Sequence, residues 1–116
     1  MTGADIVEIE TKLGIRVPNE YRQIVSSASV RKTAGWFQDK QEAISINERN
    51  RQMSWLGRPL DRTFFIFGAD QDGRELFMDL DIPGTAIMVA DHGRKSGTTL
   101  AVSFQIWVFK QCPVSD

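Results

Sequence analysis

The chain is predicted to fold as α+β, with an N-terminal αα-hairpin over a mainly antiparallel sheet of about four to six strands and a C-terminal helix to close it. Three observations predict this. The first half carries apolar side chains at helical spacing, punctuated by Gly and Pro. From Thr63 the pattern changes to short apolar or alternating runs separated by turn residues. After Ser103 the helical spacing returns.

Residues 4–13 place Ile6, Ile9 and Leu13 on one helical face, with Glu8, Glu10 and Lys12 elsewhere. Thr2 is the expected cap, with Asp5 in the first turn facing the positive end of the dipole. Gly14 suits the left-handed residue that ends a helix. Pro18 suits the first position of a second helix, whose buried stripe is Tyr21, Ile24, Val25 and Ala28. Residues 29–44 read as an irregular segment or an edge hairpin, with Gly35 as an interruption and Trp36 and Phe37 as a possible strand start. Ser45 and Glu48 form a capping-box pattern, which predicts a third helix running through Met53 and Leu56 and stopping at Gly57 and Pro59.

Residues 63–69 are apolar almost throughout, as a strand covered on both faces would be. Asp70, Gln71, Asp72 and Gly73 supply a turn, in which Gly73 takes positive φ at no steric cost. Residues 74–80 then alternate, with Leu76, Met78 and Leu80 on one face and Glu75, Phe77 and Asp79 on the other. Pro83 and Gly84 make a further turn, residues 86–90 a third strand, residues 91–97 a polar loop and residues 98–102 a fourth strand. Ser103 caps the last helix, where Phe104, Trp107, Val108 and Gln111 share a face.

A length of 116 residues suits one domain, 1–116. Hydrophobic residues at 41% and charged residues at 25% are near the globular average, so wholesale disorder is not expected. A formal net charge of −1 argues against a general nucleic-acid binder, which carries a basic excess. Cys112 is the single cysteine, so no intrachain disulfide can form. The polar, acidic start lacks the features of a signal peptide, and no apolar run is long enough for a bilayer. The expectation is a cytoplasmic protein with no membrane contact.

The helix junction reads Leu13-Gly14-Ile15-Arg16-Val17-Pro18-Asn19-Glu20-Tyr21. It resembles the start of the SUKH superfamily, which includes the fungal cell-wall synthesis regulators. The segment FFIFGADQDGRELFMDLD resembles that family's central hairpin, AIMVADHG its next strand, and LAVSFQIWV its terminal segment. Residues 29–60 match poorly. The chain departs from the pattern at Ser26-Ser27-Ala28-Ser29, where a Gly-rich turn is usual, and at Ile106-Trp107-Val108, where an acidic residue and Phe-Leu are typical. The resemblance implies an α+β binding domain rather than a catalyst. It further implies an immunity-type protein that occludes the active site of a cognate bacterial toxin domain by binding it.

Competing chemistry is thin. His92, the only histidine, stands beside Asp91, which would suit a carboxylate-oriented general base in a small hydrolase or ligand-binding domain. No nucleophile signature surrounds Ser96, Thr98 or Cys112. Asp70 to Gly73 begins like a calcium loop, but its glycine falls too early and the closing glutamate is absent. Residues 93–97 are too short for a phosphate-binding loop. The cations Arg49, Arg51, Arg58, Arg62, Arg94 and Lys95 read as solvated charges. No metal and no cofactor are expected. For a partner, the candidate contacts are Trp36, Phe37 and Trp55, with either Trp36 or Trp55 partly exposed, and the acids Asp70, Asp72, Asp79, Asp81 and Asp91, which would attract a basic nuclease-type domain. A scaffold or self-association module is the third option, requiring an exposed edge on residues 64–67 or 86–90.

Overall fold

A computed structural model describes residues 1–26, 35–37, 39–82 and 86–111, with side chains described through Val108. The order is α1 (Gly3–Leu13), α2 (Asn19–Val25), α3 (Lys40–Gln52), β1 (Phe64–Ala69), β2 (Glu75–Asp79), β3 (Ile87–Asp91), β4 (Ser96–Ala101) and α4 (Phe104–Gln111). The four strands form one antiparallel sheet in the order β1-β2-β3-β4. This is the α+β arrangement expected, with the helical hairpin first and a helix last.

The helical hairpin is held by its own ends. The Thr2 hydroxyl accepts from the Asp5 N–H at 3.1 Å while the Asp5 carboxylate accepts from the Thr2 N–H at 2.9 Å, a reciprocal cap. Gly14 takes φ 66° and donates its N–H to the Glu10 carbonyl. The Glu10 carboxylate then clasps the next segment, accepting from the Val17 N–H at 2.9 Å and the Arg22 guanidinium at 2.6 Å. Pro18 sits one position outside α2, with ψ 147°, rather than at its first position. Tyr21 and Val25 are buried and Ile24 is half-buried, while Ala28 lies outside the described residues.

The third helix differs from expectation at both ends. It starts at Lys40, where the Asp39 carboxylate caps the Gln41 N–H at 3.1 Å, and Ser45 and Glu48 are exposed mid-helix residues. Both Asp39 and Ser45 are good capping residues; the earlier start also buries Ala43 and Ile44, and apolar burial decides between them. The helix ends at Gln52. Trp55 and Arg58 then exchange backbone hydrogen bonds of 2.7 and 3.1 Å across Leu56 and Gly57, both at positive φ. Two such residues make the mirror-image turn that suits a tight hairpin, not a helical end.

The sheet is buried on both faces along β1 and β2. On the helical face Tyr21, Phe65, Phe67, Phe104 and Trp107 interlock edge to face, with Tyr21 ring contacts of 5.3 Å to Phe65 and Phe104. On the other face Trp55, Phe64 and Phe77 form a second cluster, with Trp55 to Phe77 at 5.0 Å. Phe77, assigned by alternation to the face of Glu75 and Asp79, does point that way, yet it is 1% exposed because Trp55 folds over it. β4 begins earlier than predicted, taking Ser96 and Gly97 out of the polar loop.

Candidate partner-binding surface

The three aromatic residues singled out as contacts are framework. Trp36, Phe37 and Trp55 are 5%, 8% and 3% exposed, against the expectation that Trp36 or Trp55 is partly open. Trp36 packs on Phe104 and Trp107, and Trp55 on Phe64 and Phe77, each outside the tryptophan's own segment. In an isolated stretch nothing marks those partners.

The five acids do not gather around one hairpin end. Asp70 and Asp72 lie in the β1–β2 turn, and Asp91 closes β3 at the same end of the sheet; Asp79 and Asp81 lie at the opposite end of β2. Asp70 is structural: it accepts from the Asp72 and Arg74 N–H groups, each at 2.9 Å, and from the Arg74 guanidinium at 2.8 Å. Its burial opposes ionisation, but these donors outweigh that and hold its pKa below the usual value. Asp79 likewise accepts from the Asp81 N–H at 3.1 Å. Asp72 and Asp81 are exposed. Cations are interleaved at the first end: Arg74 pairs with Asp70 and Asp72, and Arg94 approaches Asp91 at 3.8 Å. The acidic field there is therefore partly offset.

Asp91 and His92 do not form a pair. Asp91 accepts from the Arg94 N–H at 3.2 Å, whereas the His92 Nε2 lies 2.6 Å from the Glu75 carboxylate on a half-exposed turn. Among the described residues no serine or threonine hydroxyl hydrogen-bonds to the imidazole. No group of three or more metal-ligating side chains occurs among them either.

Arg51, read as a solvated charge, is half-buried. Its Nη1 donates to the Leu13 carbonyl at 2.7 Å, which satisfies the end of α1, and its Nε and Nη2 are buried with no protein acceptor. Burial, reinforced by the neighbouring Arg62, lowers its pKa.

The two edges of the sheet are built differently. On β1, the Asn47 side chain from α3, fully buried, accepts from the Ile66 N–H and donates to the Ile66 carbonyl, both at 2.8 Å, and donates to the Ala43 carbonyl as well. A bulge at Phe67 then changes the phase of the strand, and Gly35–Phe37 takes over: Phe37 donates to the Phe67 carbonyl at 2.8 Å and Ala69 to the Gly35 carbonyl at 3.0 Å. Gly68 is required there, because a Cβ would lie 2.2 Å from the Gly35 oxygen. β4 has the opposite character. Residues 96–100 are all exposed, the strand contains no charge and no proline, and among the described residues its backbone pairs only with β3. The exposed edge sought on residues 64–67 or 86–90 is thus on β4 instead; β1 is covered and β3 is central.

Beside β4 lies a shallow cleft of about 180 Å³. Its lining includes the apolar Trp55, Phe64, Phe77 and Met88 together with Arg58, Lys95 and Gly97. Metabolite sites run to roughly 300–1,000 Å³, so this cleft takes one side chain rather than a substrate.

A family model for the SMI1 / KNR4 family (SUKH-1) matches residues 1–110. The chain belongs to that family. The match runs through residues 29–60, where the motif resemblance was weak. Comparison with curated proteins and with solved structures finds no match. No helix among the described residues is long and apolar enough to cross a membrane.

Proposed function

We propose that this SUKH-1 protein is an immunity-type binding protein that neutralises a cognate bacterial toxin domain in the cytoplasm by covering its active site. The observation that carries the reading is the family match over residues 1–110, because resemblance to that superfamily implies an immunity-type binding protein. The spending of Asp70, Glu10 and Arg51 on internal hydrogen bonds is consistent with it, because such groups hold a framework rather than turn over a substrate.

The contact surface in this proposal is the outer sheet face where β4 leaves it open, the β4 edge and the adjoining turns. Asp72 and Asp91 flank it, with Asp70 shaping the first turn; Asp79 and Asp81, at the far end, contribute at the periphery. Trp36, Phe37 and Trp55 act from beneath by fixing the strands. Binding by occlusion changes no bond, so inhibition should be stoichiometric and independent of any cofactor.

The test is co-expression with the C-terminal domain of a large toxin encoded beside this gene. Rescue of growth and co-purification at equal stoichiometry are expected. Growth arrest that is the same with and without this chain, and no complex, would overturn the reading.

A further inference from the structure

We propose that β4 and the cleft beside it form a docking site for an extended, acidic segment of a partner protein, which adds a fifth strand to the sheet and places one glutamate side chain in the cleft. The proposal rests on the reading of this chain as a protein-binding domain, not on the partner being a toxin.

Four observations converge. First, among the described residues β4 has no pairing on its outer side and no covering segment, and the strand itself contains no charge and no proline of the kind that ordinarily blunt an edge. Strand addition uses such a row for affinity and side-chain pockets for specificity. Second, Gly97 carries no side chain on the cleft side of β4. A Cβ there would lie 2.6 Å from the Phe77 ring and 3.2 Å from the Met88 methyl, so the Phe77 ring takes up that position and Gly97 itself puts nothing between the strand edge and the cleft. A neighbouring strand's side chain opposite Gly97 can therefore reach over into the cleft. Third, the lining charges leave one net positive charge: Arg58 and Lys95 against Asp61. Asp61 accepts from the Thr63 N–H and hydroxyl at 2.9 and 3.0 Å and is also stabilised by the charge of Arg58, though no direct ion pair joins them; Lys95 has no ion pair among the described residues. Fourth, the Trp55 indole N–H is buried without an acceptor, although Trp55 lines the cleft. Buried donors are rarely left unmet, so a small shift of the Trp55 ring would offer this one to an acceptor in the cleft.

The volume sets the size of the guest. An apolar cavity of about 150 Å³ holds a benzene-sized molecule, so the cleft admits a single side chain. Aliphatic methylenes against Phe77 and Met88, and a carboxylate towards Arg58, Lys95 and the Trp55 N–H, describe glutamate. Lysine would meet two cations, and an apolar residue would leave the indole donor orphaned.

The experiment uses the full chain, isotope-labelled for NMR, with a short acetylated and amidated peptide of β-branched residues around a central glutamate, at millimolar concentration. The expected result is selective movement of the 96–101 amides and of the Trp55 indole N–H, little effect from the same peptide carrying lysine, and binding weakened at least about fivefold in Lys95→Glu, an exposed position that leaves the fold intact. Three outcomes would overturn the proposal: no movement with either peptide, equal movement with both, or equal binding of blocked glutamate alone, which would make the cleft a small-molecule site. A wild-type dimer in sedimentation, with β4 amides already protected from exchange, would also overturn it by assigning the edge to a second copy. Each result stands whether or not the chain rescues cells from a toxin.

Discussion

The β1 and β4 edges of one sheet face opposite problems in the same short protein. β1 ends the sheet inside the molecule, so each outward polar group must find a protein partner, and Asn47, Gly35 and Phe37 supply them. β4 ends it at the surface, where water can serve, and among the described residues no side chain hydrogen-bonds to its backbone. The contrast teaches that a strand's sequence alone does not say whether it is an edge to be sealed or an edge to be used. FFIFGA is the more apolar of the two strands, yet it is the one closed off.

The largest expected effect comes from opening the sealed side. Asn47→Ala leaves the Ile66 N–H and carbonyl buried and unpaired, which should cost about 3 kcal/mol of unfolding free energy by urea titration. A loss near zero would mean that water replaces the amide and that the two edges are not different in kind. Next is Gly97→Val on the open side. Its methyls would press on Phe77, an overpacking cost of about 2 kcal/mol. The same measurement checks it, and an unchanged midpoint would show that the face is looser than the contact distance says. The smallest effect sharpens the contrast most: Thr98→Lys on exposed β4 should change stability by no more than about 0.5 kcal/mol. A larger loss would reveal that the open edge is covered in solution.

The element types were legible because their signals are local. Thr2, Asp5 and Gly14 write both ends of α1 within one turn of the helix they bound. The start of α3 was misread because Asp39 and Ser45 are both acceptable caps, and the choice falls to Ala43 and Ile44, whose burial is a long-range fact. The candidate site was less legible for the same reason. Trp36 is covered by Trp107 and Trp55 by Phe77, so their exposure could not be read from their neighbours. The separation of Asp70 and Asp72 from Asp79 and Asp81 was within reach, since the intervening strand Glu75–Asp79 carries the chain from one end of the sheet to the other. Gly97 and the cleft were not. TTLAV predicts a strand but gives no hint that it stands last in the sheet, or that a tryptophan from beyond α3 will border a hollow beside it.

The bulge at Phe67, with the Asn47 amide on one side of it and the Gly35–Phe37 segment on the other, also limits how many molecules can join. Head-to-tail stacking, which would lead from one sheet to the next and on into a fibre, requires two complementary free sides. Among the described residues only the β4 side is open, so a strand laid along β4 cannot be followed by another copy through β1, and growth by edge-to-edge strand addition stops there.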